Sequence, residues 1–176
     1  FYYLAVMAFP FQKTLLQIPC LNGVSPSRIV MSPGDWLSCV DFLTERIPAV
    51  SREQWEKRIQ NGEVLDEQGL PITLNTRHQS GKKLFYYRYL EHEWQIPFEE
   101  TVLYQDDHLV VADKPHFLPV IPSGRYIQET LLVRLRRKLG IDTLSPIHRI
   151  DRETAGLVLF SVRPEERNSY QKLFRT

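Results

Sequence analysis

One segment near the end of the chain constrains the fold more than any other. Residues 148–156 read HRIDRETAG and run directly into the apolar stretch formed by residues 157–160. The stretch predicts a buried strand, whereas six of the nine preceding positions carry an ionisable group or a hydroxyl. A charged loop at the end of a buried strand is costly unless its charges pair or have a chemical role. The segment therefore predicts either a structural ion-pair network or a functional site.

Asp151 is the centre of this segment because Arg149 and Arg152 flank it. Two guanidinium groups are expected to favour its carboxylate form, and an ionised, oriented carboxylate can act as a nucleophile or a base. The structural alternative is a salt-bridge loop closed by Thr154, since such networks are common. A kinase-type catalytic loop is excluded because no Asn follows at the required spacing. A zinc site is not supported, because His148 and Asp151 lack a third ligand nearby.

Composition narrows the protein class further. The chain has 176 residues, of which 43% are apolar and 24% charged, so a packed core is expected. The formal net charge is only +1, which excludes a uniformly basic nucleic-acid-binding coat but permits a local basic patch. The two cysteines are too few for a disulfide framework, and we interpret them as free thiols in a reducing, cytoplasmic compartment. No apolar run reaches the ~18 residues of a membrane span.

The N-terminal half divides into three predicted parts. Residues 1–34 form a proline-rich extension whose apolar residues are expected to lie against a core: Phe9, Phe11, Leu15, Leu16 and Ile18. Residues 35–90 predict a small module of two helices, the first capped by Asp35 and the second by Ser51. Short strands are expected at 63–65, 72–74 and 84–90. Residues 91–99 contain Pro97 and are interpreted as a linker.

Residues 100–176 predict a second unit. A hairpin is expected from 101–104 and 109–112, followed by a helix over 127–139 with Gly140 as its C-cap. The outer face of that helix is predicted to carry Arg134, Arg136, Arg137 and Lys138. Between positions 124 and 152, seven basic residues stand against three acidic ones, an excess of +4. This excess indicates a phosphate-binding face, and a solvated amphipathic helix is the alternative.

Two motifs in this half carry a family resemblance. Residues 148–160 resemble the catalytic motif of the RluA-type pseudouridine synthases, which runs His-Arg-Leu-Asp, two variable residues, Thr-Ser-Gly and an apolar strand. Residues 107–115 resemble the second motif of that family, in which a strand ends in Lys-Pro before a loop that faces the active site. Ile150 and Ala155 replace the usual Leu and Ser, and both changes are conservative. The resemblance covers about residues 95–176.

The resemblance implies an α+β fold with a mixed, mainly antiparallel catalytic sheet, and isomerisation of uridine to pseudouridine in ribosomal or transfer RNA. It assigns catalysis to Asp151 and implies neither cofactor nor metal. By resemblance and charge, the residues expected to contact RNA are His148, Arg149, Arg152, Thr154, Lys114, Arg134 and Arg137. Two points stay open: whether Asp151 attacks C1′ or removes the 2′ proton, and whether Arg149 serves only as an ion-pair partner.

Residues 35–90 resemble, more weakly, the small alpha-L RNA-binding motif that often precedes this catalytic domain; a generic packing module is the alternative. The family supplies an active-site Tyr from strands that would follow the last helix, so the chain is expected to be a fragment that is inactive alone. A non-catalytic RNA-binding protein that keeps the fold, and a plain structural domain, are the competing hypotheses. The sequence predicts no oligomeric state.

Overall fold

The computed structural model describes residues 18–90 and 92–174, so the predicted packing of Phe9, Phe11, Leu15 and Leu16 lies outside the described residues. Within this part of the chain no helix is long and apolar enough to cross a membrane. The elements in chain order are β1 Ser27–Val30, α1 Cys39–Arg46, α2 Arg52–Gln60, β2 Val64–Leu65, β3 Lys83–Tyr86, β4 Thr101–Gln105, β5 Leu109–Lys114, α3 Leu131–Leu139, β6 Ser145–Pro146, β7 Gly156–Ser161 and α4 Arg167–Lys172.

A three-stranded antiparallel sheet in the order β1-β3-β2 organises the N-terminal half. β1 pairs with β3 along its whole length and lies in the segment expected to be an extension, so this sheet includes residues before position 35. The predicted strand over 84–90 ends at Tyr86. The predicted strand over 72–74 is wrong: Ile72 only donates its amide to the Val64 carbonyl, beside an isolated bridge between Leu65 and Pro71.

Two capping boxes fix the helices that cover this sheet. The box at α2 is confirmed, because Ser51 accepts from the Gln54 amide while the Gln54 side chain accepts from the Ser51 amide. The cap predicted for α1 is wrong: Ser38, not Asp35, begins this helix. Ser38 is the N-cap because Asp41 lies three residues later and completes a capping box. The Asp41 carboxylate accepts from the Ser38 amide at 3.0 Å, and the Ser38 hydroxyl accepts from the Asp41 amide, so two backbone donors are satisfied.

The C-terminal half is a four-stranded sheet in the order β4-β5-β7-β6, and every strand pair in its described residues is antiparallel. The α+β class and the hairpin are thereby confirmed. The Asp106 carboxylate closes the hairpin turn by accepting from the amides of His108 and Leu109 at 2.8 and 2.7 Å. α3 packs on one face of the sheet, and the shared core contains Val110, Ala112, Leu118, Leu131, Leu135, Leu144, Val158 and Phe160.

α3 begins four residues later than its apolar periodicity predicts. Thr130 is the N-cap, and the amides of residues 127–129 donate to the Glu93 carboxylate at 2.7–2.9 Å instead of entering the helix. The C-cap prediction is confirmed, since Gly140 ends the helix with φ 69°, a left-handed conformation that suits glycine. Because Glu93 and its neighbours are fixed to α3, residues 92–99 are docked on the second unit and do not form a free linker.

Arg136 corrects the predicted outer face of α3. Its side chain is buried, not exposed, and it donates to the Leu144 carbonyl, the Gly23 carbonyl and the Ser25 hydroxyl at 2.7–3.2 Å. Burial lowers the pKa of this guanidinium. Arg136 therefore joins the segment before β1 to the second unit, and it contributes nothing to a surface charge patch.

Candidate active site

Asp151 lies in the loop that connects β6 to β7, where the chain turns back into the sheet. The turn is closed by the Thr154 amide, which donates to the Asp151 carbonyl at 3.1 Å. Asp151 is exposed and lines an open cleft of about 620 Å³. The other residues along this cleft are Pro119, Val120, Ile121, Ser123, Arg149, Ile150 and Arg152. The loop that follows the second motif and the catalytic-type motif thus line one cleft.

The expected pairing of Asp151 with its two flanking arginines is wrong. Arg152 turns instead to Glu153, with Nη2 2.7 Å and Nε 2.9 Å from Oε1, and this hydrogen bond lowers the pKa of Glu153. The same guanidinium lies 5.7 Å from the Tyr126 ring centre and donates to its hydroxyl at 3.2 Å. No described residue pairs with the Asp151 carboxylate or with the exposed Arg149 side chain, so both are open to the cleft.

Lys114 holds the two loops of the cleft together. Its side chain is fully buried at the end of β5, and Nζ donates to the carbonyls of Pro115, Leu118 and Arg152 at 3.0, 2.8 and 3.1 Å. Burial lowers the pKa of this amine. The sequence predicts that Lys114 contacts RNA, but the buried ammonium has no surface for such a contact. Instead it ties the Lys-Pro loop to the residue after Asp151.

Two histidines support the same loop from either side. His116 forms a hydrogen bond between Nδ1 and the Glu153 carbonyl at 2.7 Å. His148 accepts at Nε2 from the Leu159 amide at 3.2 Å, which requires an unprotonated Nε2, and burial lowers its pKa. The His148 ring also stacks on Phe174 at 4.7 Å between centroids. His148 therefore positions the start of the loop, and its half-buried ring does not line the cleft.

The basic residues of α3 divide into two groups. Arg134 is an internal clamp with 14% of its side chain exposed. It forms ion pairs with Glu129 and Glu100 and donates to the carbonyls of Ile96 and Phe98 at 2.7 Å. Arg137 and Lys138 are exposed, and the Lys138 ammonium lies 4.0 Å from the Glu100 carboxylate. Of the predicted phosphate-binding face, the described helix thus presents two cations at its C-terminal end.

Sequence reasoning missed His116 and Tyr126 as parts of the site. For His116, its place directly after Lys-Pro is a usable signal, because that loop was expected to face the cleft. Tyr126 contacts Arg152, which lies 26 positions later in the sequence, and no local pattern predicts such a contact. The described residues contain no group of three His, Cys, Asp or Glu side chains that could hold a metal ion.

Comparison with known proteins gives the site its context. The RNA pseudouridylate synthase family matches residues 108–176, the part that carries both motifs. An uncharacterized RNA pseudouridine synthase of Synechocystis is 31% identical over 136 residues, which cover 77% of this chain and 46% of that protein. RNA pseudouridine synthase 5 of Arabidopsis thaliana is 31% identical over 166 residues, which cover 87% of this chain and 45% of that protein.

A third relative carries a substrate in its name. The mitochondrial tRNA pseudouridine(32) synthase of Saccharomyces cerevisiae is 30% identical over 128 residues, which cover 72% of this chain and 27% of that protein. The chain thus spans at most about half the length of these three relatives. The C-terminal part of the chain, residues 108–176, belongs to the RNA pseudouridylate synthase family.

Proposed function

We propose that the protein converts uridine to pseudouridine in RNA, with Asp151 as the catalytic residue. The observation that carries this proposal is the Asp151 carboxylate itself, which lies exposed in the cleft and has no partner among the described residues. A structural ion-pair loop would engage this carboxylate, yet its neighbour Arg152 pairs with Glu153 instead. The free carboxylate favours a chemical role over a structural one.

The isomerisation requires one ionised carboxylate near the sugar. The reaction breaks the N1–C1′ bond of uridine, rotates the base and joins C5 to C1′, with no net redox change. Asp151 either attacks C1′ or removes the 2′ proton. The target base leaves its stack first, at a cost of roughly a few kcal/mol. Arg149, exposed beside Asp151 in the cleft, is suited to bind the RNA backbone at the opened position.

The proposed substrate is transfer or ribosomal RNA, and the proposed location is the cytoplasm. The name of the yeast relative supports transfer RNA. We further propose that the module over residues 35–90, together with β1, binds RNA. Its exposed cations, among them Lys57 on α2, are compatible with contacts to phosphates.

Tritium release tests the proposal directly. Cellular RNA labelled at uridine C5 is incubated with the full-length gene product and with its Asp151→Asn variant. Formation of the C5–C1′ bond expels the C5 hydrogen, so we expect release with the wild type and none above background with the variant, which keeps the size of the side chain. Release by both proteins would contradict the role of Asp151. Retained RNA binding without release by either would favour the non-catalytic RNA-binding alternative.

A further inference from the structure

We propose that Phe98, His116 and Phe117 form a base-stacking site for a nucleotide that flanks the target uridine. Together these three residues form what we name the aromatic platform. The inference deepens the proposed function and rests on it, because it names a part of the RNA that the protein holds beyond the reacting nucleotide.

The platform consists of rings that touch one another and remain open to solvent. Phe98 is 48% exposed and Phe117 is 50% exposed. The Phe117 ring lies 6.2 Å from that of Phe98 and 6.0 Å from that of His116, centroid to centroid. Unstacked bases of RNA are commonly bound on aromatic side chains, because every base has a π-face.

The backbone of Phe117 makes a purely structural role for its ring a poor explanation. Phe117 has φ 66°, in the left-handed region that costs free energy at any residue with a β-carbon. Because the ring stays half exposed, its burial contributes little free energy to offset that strain. Glycine would adopt the same conformation without cost. A strained, exposed aromatic beside a candidate active site points to a binding role.

The platform also lies where an RNA strand entering the cleft would pass. At one end, His116 is bonded to the carbonyl of Glu153, two residues after Asp151. At the other end, the Phe98 carbonyl accepts from Arg134 at 2.7 Å. The exposed Arg137 and Lys138 follow within the next turn of that helix. The rings thus lie between the catalytic loop and two exposed cations, of which Lys138 also faces Glu100 at 4.0 Å, an arrangement suited to bases on the rings and phosphates on the cations.

The test separates contacts to bases from contacts to phosphates. Two fluorescein-labelled 12-nucleotide probes are compared, single-stranded oligouridylate and an abasic ribose-phosphate strand of the same length. The variants are Phe98→Leu and Phe117→Gly, of which the second removes the ring and also relieves the backbone. Tyr104→Leu is the matched control, because Tyr104 is 52% exposed and lies toward the other end of the hairpin. Binding is measured on the full-length gene product by fluorescence anisotropy.

We expect each platform variant to weaken oligouridylate binding about 5- to 150-fold, the range for loss of one stacked base, and to leave abasic binding unchanged. Phe117→Gly should keep the thermal unfolding midpoint close to that of the wild type, which a structural role for the ring would not allow. Equal losses on both probes, no loss, or equal binding of both probes by the wild type would overturn the platform. The tritium assay distinguishes failure of this inference from failure of the proposed function. If the wild type releases tritium but the platform variants bind oligouridylate normally, only this inference is refuted. If the wild type releases no tritium, the proposed function is refuted.

Discussion

At the scale of single residues, Lys114 determines the shape of a cleft that it does not enter. Its ammonium satisfies three carbonyls from two different loops, and one of these carbonyls belongs to Arg152, next to Asp151. A buried charge is tolerated only when its hydrogen bonds are complete, and here all three protons have acceptors. The position of the Asp151 carboxylate, the proposed catalytic group, therefore depends on an amine that is fully buried.

Replacement of Lys114 by methionine, which has similar length and no donor, should be strongly destabilising. The change leaves three carbonyls without their donor, and we expect a loss of roughly 3 kcal/mol in the free energy of unfolding after the relieved desolvation of the amine is subtracted. Urea unfolding followed by fluorescence measures it. Lys57→Met, at an exposed lysine of α2, is the control and should change stability by less than about 0.5 kcal/mol. Equal stability of both variants would contradict the anchoring role.

At the scale of elements, the segment over residues 92–100 acts as a strap across α3. Glu93 accepts from three successive backbone amides before the helix, the Ile96 amide donates to Glu129, and Arg134 clamps the Ile96 and Phe98 carbonyls. These amides precede the N-cap Thr130 and take no part in the helical hydrogen bonds, so the carboxylate supplies the acceptor that each of them needs. The strap therefore fixes the start of α3 and, through Phe98, one end of the aromatic platform.

Glu93→Ala should reduce the free energy of unfolding by roughly 2 kcal/mol, because it removes the acceptor of three amides. Glu93→Gln should cost less, since one of the two oxygens remains an acceptor. Glu99→Ala is the matched control: Glu99 lies in the same segment and is exposed, so its removal should be nearly neutral. Chemical denaturation of all three variants gives the comparison. A Glu93→Ala protein as stable as the Glu99→Ala protein would show that the strap does not hold the helix.

The same elements show which features a sequence reveals. The Ser51 capping box, the hairpin and the Gly140 C-cap were predicted correctly because each depends on residues only a few positions apart. β1 was missed because its partner β3 lies more than 50 positions away. Arg136 was placed on the wrong face because its acceptor at Gly23 is 113 positions distant, and helical periodicity does not report a long-range hydrogen bond.

The candidate site likewise contains features that local sequence predicts and features that it does not. Asp151 lines one cleft with the loop after Lys-Pro, because that loop follows β5 and the loop of Asp151 precedes β7, the antiparallel neighbour of β5. The partners of its charges were not predictable. Whether Arg152 pairs with Asp151 or with Glu153 depends on the turn of the loop and on the position of Tyr126. Neither the turn nor this position can be read from the order of the residues in the sequence.

At the scale of the whole molecule, the proposed RNA binding must depend on a few well-placed cations, because the chain is nearly neutral. The net charge is +1, and two of the basic residues counted toward the local excess, Arg134 and Arg136, serve internal contacts instead. Arg137 and Lys138 therefore form the exposed basic part of α3. Their effect should appear in the salt dependence of binding, because each phosphate that a cation neutralises releases a counterion.

Removal of the positive charges of Arg137 and Lys138 should reduce this salt dependence. For the full-length gene product and labelled oligouridylate, the slope of log affinity against log salt should become less steep by about 0.7 in Arg137→Gln, and by as much again when Lys138→Gln is added. Arg163→Gln is the matched control, since this exposed arginine donates to the Asp107 carbonyl at the far hairpin turn and should leave the slope unchanged. Affinity measured by anisotropy between 50 and 300 mM KCl, about the range in which counterion release dominates, gives the slopes. An unchanged slope in the double variant would place the phosphates elsewhere, and the path from α3 across the aromatic platform to Asp151 would lose its electrostatic support.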